Sequence, residues 1–161
     1  MRKSALLAAI VIGTSVLFPA ASIAGGDLSK QNPITVVVHL GKEGVEKHQY
    51  YPDKLSFETG KLYKLVLHNP SNSKHYFTSH GFARKIWTRK VQVMDDFGPG
   101  AKTIAEVKGP VHEVEIYPGG TTEWWFVPVS TGALTDLHCP IKDKDGKVHG
   151  EKGMTGTITI I

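Results

Sequence analysis

Short stretches in which apolar and polar residues alternate run along the chain from residue 34, separated by Gly and Pro residues that favour turns. Tyr63, Leu65 and Leu67 share one face of such a stretch, and Lys64 and His68 lie on the other. A period of two is typical of a β-strand with one buried face. The segments predicted as strands are 34–40, 55–57, 62–68, 86–94, 111–117, 122–127, 134–139 and 155–161. Seven or eight short strands joined by turns predict an all-β sandwich.

The pattern is weakest at 82–110. Within it we expect a loop at 95–100 and a short helix near 103–107. Trp124 and Trp125 lie in a predicted strand, and we expect both tryptophans to belong to the core. No heptad, internal repeat or low-complexity tract interrupts the pattern, so we predict one sandwich domain.

The first 24 residues have the layout of a secretory signal peptide. Two basic residues begin it, residues 5–17 are apolar and uncharged, and small residues precede a cleavage point after Ala24. The apolar run is short for a membrane span, although an uncleaved anchor helix is the alternative. We therefore predict a signal peptide at 1–24, a mature domain at 25–161 with no stable membrane span, and export to a periplasm.

The charge and the cysteine count exclude some classes of protein. The 161 residues carry a formal net charge of +4, but Arg2 and Lys3 belong to the predicted leader. The mature domain then has 17 basic and 15 acidic residues and no basic run with interleaved aromatics. We therefore expect no binding to nucleic acid. The single cysteine excludes an intramolecular disulfide framework and a Cys-rich zinc module.

A thiol, an imidazole and a thioether occur near the end of the chain. Cys139, His149 and Met154 provide them, and His75 follows a polar turn upstream. Two imidazoles, a thiolate and a distant thioether form blue-copper sites, because thiolate suits Cu(I) and imidazole suits both oxidation states of copper. Strand parity puts Cys139 on the inner face, so the neighbouring His138 should point outward and be a poor ligand.

Several motifs are similar to those of a known family. They are FETGKLY at 57–63, LHN at 67–69, HYF at 75–77, IYPGG at 116–120, WWF at 124–126 and HGEKGMTG at 149–156. Together they resemble the cupredoxins, the plastocyanin and azurin family of type 1 copper proteins. The resemblance runs from residue 51 to residue 161, and the ending with four residues between His149 and Met154 is fairly specific.

This resemblance implies a Greek-key β-sandwich that holds one copper ion per chain. His75, Cys139 and His149 would be the equatorial ligands and Met154 the axial one. The protein would be a one-electron carrier and not an enzyme. Its partners would be periplasmic redox proteins that dock transiently near His149.

Two features depart from the family pattern. Nine residues separate Cys139 from His149, whereas the family usually has a shorter spacing, and residues 142–147 read as a polar hairpin-like insertion. We expect this insertion to affect the geometry of the site and to replace the usual apolar docking surface. Pro140 has no N–H, so another residue, such as Ile141, must donate any backbone hydrogen bond to the sulfur.

Other assignments stay open at the level of sequence. A protein that delivers copper or confers resistance to it would use similar ligands, an enzyme would need an open copper position, and a metal-free sandwich would bind a partner. The remaining histidines lack ligand-like spacing and are expected at the surface or within strands: His39, His48, His68, His80 and His112. His80 is the alternative ligand should His75 point away.

Overall fold

Two β-sheets pack face to face in the computed structural model, which describes residues 28–161. The signal peptide predicted at 1–24 lies outside the described residues. Within the described part, no helix is long and apolar enough to cross a membrane. A 3-10 turn at Leu28–Lys30 precedes the first strand.

Eleven strands and one short helix make up the described part of the chain. In chain order they are β1 (Ile34–Lys42), β2 (Val45–Tyr51), β3 (Lys54–Phe57), β4 (Tyr63–His68), β5 (His75–Thr78), α1 (His80–Ala83), β6 (Ile86–Met94), β7 (Thr103–Val107), β8 (Glu113–Ile116), β9 (Thr121–Pro128), β10 (Gly132–His138) and β11 (Thr155–Ile160).

The strands divide into a six-stranded and a five-stranded sheet. The first has the order β2-β1-β4-β9-β6-β7 and the second the order β3-β11-β10-β5-β8. Neighbouring strands are antiparallel except β1 with β4 and β3 with β11, which run parallel. Strands β5 and β10 are neighbours in the second sheet, where His138 lies opposite Thr78. This pairing brings the start of β5 to the end of β10.

The alternation of apolar residues explains which faces are buried. Tyr63, Leu65 and Leu67 of β4 are buried on the inner face, as their spacing predicts. In β9, Trp124 and Phe126 are buried among the other aromatic rings of the core. The Trp124 indole N–H donates to the Thr88 hydroxyl at 3.0 Å, so its polar group has a partner. The core therefore fills the space between the two sheets.

The sandwich that the sequence predicted is confirmed, with differences in detail. Segment 86–94 is the strand β6, as expected, but the helix expected near 103–107 is wrong. Those residues form β7, because they pair with β6 from Val91 opposite Val107 to Met94 opposite Thr103. With β2, β5 and β7, the number of strands in the described residues is eleven, above the seven or eight expected.

The expectation for the two tryptophans is half correct. Trp124 is buried, whereas Trp125 lies on the outer face of β9 and is only partly buried. The amines of Lys64 and Lys90 lie 5.7 and 4.9 Å from its ring centroid. Neighbouring cations on the same sheet face thus cover this ring in place of a core.

Candidate metal centre

The candidate site lies at the end of the second sheet where β10 finishes and β5 starts. His75 is the first residue of β5, and Cys139 directly follows β10. A loop then runs from Cys139 to Met154 before β11 begins. Because β5 and β10 are adjacent, the backbone pairing itself brings two residues 64 positions apart to the same place.

The insertion in this loop is a hairpin, as the sequence predicted. Lys142 pairs with Val148 in an antiparallel bridge, and the Asp143 N–H donates to the Lys147 carbonyl at 2.9 Å. Gly146 takes a φ of +79°, which glycine adopts without steric cost, at the turn. The His149 N–H then donates to the Ile141 carbonyl at 2.7 Å. The hairpin therefore returns the chain so that His149 lies next to the cysteine.

Three donor atoms converge in this pocket. The Nδ1 atoms of His75 and His149 are 3.1 Å apart, and the Cys139 Sγ lies 3.9 and 3.5 Å from them, respectively. Donors bound at about 2.0 Å for nitrogen and about 2.3 Å for sulfur around one ion lie roughly 3.5 Å from one another. Each of the three residues is at most 1% exposed. The arrangement fits a trigonal N₂S site for one buried ion.

Met154 is tied to the same loop through its backbone. Its N–H donates to the His149 carbonyl at 2.9 Å, and its carbonyl accepts from the Cys139 N–H at 3.1 Å. The side chain is fully buried in the core cluster that also contains Cys139. The four residues that the resemblance assigns to copper thus lie together, in a buried pocket at one end of the sandwich.

The proton positions of the two imidazoles follow from their outer partners. The Ser71 hydroxyl donates to the Asn69 Oδ1 at 2.7 Å, so its oxygen is left to accept from the His75 Nε2–H at 3.0 Å. The Asp143 carboxylate accepts from the His149 Nε2–H at 3.0 Å. Both Nδ1 atoms then present lone pairs to each other, and a cation between them removes their repulsion. The protein's own hydrogen bonds therefore suit metal binding.

Burial governs the ionisation of the donors. Burial, together with the neighbouring imidazoles of His149 and His48, lowers the pKa of His75 to about 4. Burial likewise lowers the pKa of His149 and raises that of the Cys139 thiol. The Tyr76 N–H donates to the sulfur at 3.3 Å, and the backbone of Ile141 also acts to lower the thiol pKa. The imidazoles are thus neutral at pH 7, as metal ligands must be.

His48 has no ligand-like spacing in the sequence, but the structure brings its ring to the site. The ring stacks on that of His149 with centroids 3.7 Å apart and planes 10° apart, and it lies 5.5 Å from the ring of His75. The signal was present in β2, where His48 shares a face with the buried Tyr50. A period of two would have directed both side chains inward.

The three imidazoles form a second possible ligand set. Nitrogen atoms of His48, His75 and His149 all lie within 4.8 Å of one another. However, the rings of His48 and His149 are nearly parallel, so their in-plane lone pairs do not point to a common ion. The set with Cys139 has converging donors and is the better metal site.

A network of charges closes the outer side of the site. The Asp143 carboxylate bonds to Nε2 of both His48 and His149 at 3.0 Å, and the Lys152 amine reaches it at 2.6 Å. These hydrogen bonds, led by that from Lys152, hold the pKa of Asp143 well below its usual range. A cleft of about 630 Å³ lies beside the network and is lined by residues of β2, the turn before β5, and the hairpin. It reaches His48 and His75 from solvent.

The other histidines lie elsewhere, as the sequence predicted. His138 is half-buried and bonds through Nδ1 to the Asp136 carbonyl at 2.8 Å, and so it faces away from the pocket. His80 is exposed at the start of α1, 6.2 Å from the ring of His112. His39 and His68 pack edge to face on the outer side of the first sheet.

Only solved structures, and not sequence comparisons, show similarity to this protein. No protein-family model and no curated protein matches the sequence. A multicopper oxidase from Campylobacter jejuni is 14% identical with a TM-score of 0.57, over 81% of this chain and 30% of that one. A multi-copper oxidase from Pediococcus acidilactici is also 14% identical with a TM-score of 0.52, over 91% of this chain and 29% of that one. The chain spans about 30% of the length of these oxidases.

A smaller structure also aligns with most of the chain. Auracyanin from Roseiflexus castenholzii is 16% identical with a TM-score of 0.45, over 79% of this chain and 96% of that one. The structural similarity to the two oxidases, with TM-scores of 0.57 and 0.52, establishes the fold of this chain. The protein has the cupredoxin-like β-sandwich fold that its motifs predicted.

Proposed function

We propose that the protein binds one copper ion through His75, Cys139 and His149, with Met154 as the axial ligand, and acts as a one-electron carrier. The observation that carries this proposal is the convergence of two Nδ1 lone pairs and one sulfur in a buried pocket. When bound, copper supplies a redox couple that gains and loses one electron.

The protein's own residues would keep the site rigid. His75 is fixed by β5 and by its hydrogen bond to Ser71, and Cys139 follows directly from β10. His149 is fixed by Asp143 and by its backbone bond to Ile141. Ligands that cannot move cost little reorganisation when the charge of the site changes. Each imidazole is also only 1% exposed, so little of either ring is open to a substrate, which supports a carrier over an enzyme.

The test is the visible absorption spectrum of the protein loaded with Cu(II). A thiolate ligand should give an intense charge-transfer band that disappears in Cys139→Ala. His138→Ala is the matched control, because this imidazole is adjacent in sequence but lies outside the pocket, and the band should remain. Two results would overturn the proposal. One is a wild-type protein that takes up no stoichiometric copper, and the other is a charge-transfer band that persists in Cys139→Ala.

A second candidate is a protein that delivers copper or gives resistance to it. The cleft beside His48 and His75 favours it, because it offers an opening from solvent to the ligand cluster. The rate of copper transfer to a chelator separates the two functions. A carrier should release copper slowly and show a reversible potential, whereas a delivery protein should give up copper quickly.

We propose that redox partners dock transiently over His48, in a periplasm. His149 is 1% exposed, while the side chain of His48 is 15% exposed and stacks on it. Of these two stacked rings, the one on β2 is therefore the more accessible to a partner. Export is supported by the charged and apolar pattern of residues 1–24. Cell fractionation and the N-terminal residue of the isolated protein test it, with Gly25 expected as the first residue.

A further inference from the structure

We propose that Asp143 is a positioning residue that fixes the orientation and the tautomer of His149 as a metal ligand. The inference rests on the proposed copper site and deepens it. It assigns a role to the insertion between Cys139 and His149, which delivers this carboxylate to the site.

The geometry of the carboxylate determines which nitrogen of each ring carries a proton. Oδ1 of Asp143 lies 3.0 Å from Nε2 of His149, and Oδ2 lies 3.0 Å from Nε2 of His48. An ionised carboxylate can only accept, so both Nε2 atoms must donate. The lone pair of His149 is then on Nδ1, which faces the Cys139 Sγ at 3.5 Å. A ring with the opposite tautomer would present an N–H to the pocket.

The carboxylate is itself held in place. The Lys152 amine contacts Asp143 at 2.6 Å and Asp145 at 2.8 Å. The backbone of Asp143 donates to the Lys147 carbonyl and accepts from the Gly146 N–H, both at 2.9 Å. The side chain therefore has a defined position, although it is 30% exposed. Such support is what allows a hydrogen bond to orient a ligand ring.

This role explains the length of the insertion between Cys139 and His149. Nine residues lie between Cys139 and His149, and seven of them, 142–148, form the hairpin that brings Asp143 to the ring of His149. A direct turn from the cysteine to the histidine would leave no residue at that position. A carboxylate on the outer nitrogen makes the imidazole a stronger donor and favours the more highly charged state of a bound ion. It should therefore lower the reduction potential of the site.

The first experiment uses the copper-free protein. Long-range ¹H–¹⁵N NMR assigns the tautomer of His149 in wild type, Asp143→Asn, Asp143→Ala and Asp145→Asn. We expect the proton on Nε2 in the wild type and a mixture of tautomers in Asp143→Ala. Asp143→Asn should be intermediate, because its amide oxygen can still accept one of the two bonds. Asp145→Asn is the matched control. Asp145 also forms an ion pair with Lys152, but its hydrogen bond is to the Lys147 N–H and not to His149.

The second experiment measures copper affinity and midpoint potential in the same four proteins. Loss of such a hydrogen bond typically costs 10–100-fold in metal affinity. We expect that loss and a raised potential in Asp143→Ala, a smaller loss in Asp143→Asn, and wild-type values in Asp145→Asn.

An unchanged tautomer and affinity in a folded Asp143→Ala overturns the inference, and so does an equal effect of Asp145→Asn. If Asp143→Ala does not fold, the tautomer and copper affinity of Asp143→Asn are compared with those of Asp145→Asn instead. Failure of the wild type to bind copper would instead overturn the proposed function, while the tautomer measurement on copper-free protein would still test Asp143.

Discussion

At the scale of single residues, the orientation of His75 depends on contacts with small neighbours. Ser71 accepts the hydrogen bond of the His75 Nε2–H, and Gly41 packs against Ser71 from β1. Gly41 has a φ of +89° at a register shift between β1 and β2. A Cβ atom on Gly41 would lie 2.7 Å from the Ser71 Cβ and 3.4 Å from the His75 Nε2. The absence of a side chain at Gly41 therefore leaves space for the hydrogen bond between Ser71 and His75.

We predict that Gly41→Ala destabilises the protein and disturbs the site. Alanine in the left-handed region costs about 1–2 kcal/mol, and crowding in a packed region typically adds about 1–3 kcal/mol. Gly44→Ala is the matched control, because its φ is +67° and nothing lies within 4 Å of its added Cβ. Urea unfolding should show the larger loss for Gly41→Ala, and only this variant should shift the copper spectrum. Equal effects of the two substitutions would show that packing against Ser71 is unimportant.

At the scale of elements, Asp136 joins β10 to the start of α1. Its carboxylate accepts from the Ser79 hydroxyl at 2.6 Å and from the Gly81 N–H at 2.7 Å. Burial alone would raise the pKa of Asp136, but these two hydrogen bonds, with its own backbone N–H and the charge of Arg84, together leave the pKa below its ordinary value. The Ser79 hydroxyl also caps α1 by accepting from the Phe82 N–H at 3.2 Å. One carboxylate thus fixes both the strand that leads to Cys139 and the helix beside it.

We predict a pH-dependent cost for Asp136→Asn. A lowered pKa in the folded state means that the ionised carboxylate stabilises the fold above the unfolded pKa of about 3.9. This contribution is lost as the pH falls through the lower folded value. At pH 7 the substitution should cost about 1 kcal/mol, and the difference from wild type should shrink below pH 4.

Urea unfolding at several pH values measures this effect. A double-mutant cycle with Ser79→Ala should show coupling at pH 7 and less coupling at low pH. A difference between wild type and Asp136→Asn that is constant from pH 7 to pH 2.5 would contradict the assignment.

At the scale of the whole molecule, the first sheet covers a site built by the second. His75, Cys139 and His149 come from β5 and from the loop after β10, whereas His48 comes from β2 on the edge of the opposite sheet. The stacking of His48 on His149 closes the space that would otherwise expose the ligand ring. The packing of the two sheets, and not the ligand loop alone, therefore controls solvent access to the site.

We predict that azide leaves the spectrum of the copper-loaded wild type unchanged and perturbs that of His48→Ala. The imidazoles of His75 and His149 are each 1% exposed, and His48 lines the cleft that leads to them from solvent, so we expect its ring to block the approach of a small anion to a bound ion. His138→Ala is the control and should behave as the wild type. An azide shift of equal size in all three proteins would mean that the His48 ring does not shield the ion.

Much of the site followed from residue types and spacing. The period of two in β4 predicted its buried face, and the thiol, imidazole and thioether near the chain end indicated the class of ion. Parity correctly separated the buried Cys139 from the half-buried His138. The strand at 103–107 was missed because its five residues are all exposed, so no buried face marks the segment; its pairing with β6 defines it.

The sequence by itself determined the β-sandwich and the chemical identity of the proposed donors, since the first depends on local alternation and the second on side-chain type. The tertiary structure alone decided that His48 stacks on His149 and that Asp143 bridges the two rings. His48 and Asp143 are 95 positions apart, and their 3.0 Å contact requires the edge of one sheet to meet a hairpin from the other. No local pattern encodes such a contact, because it depends on how the completed sheets pack.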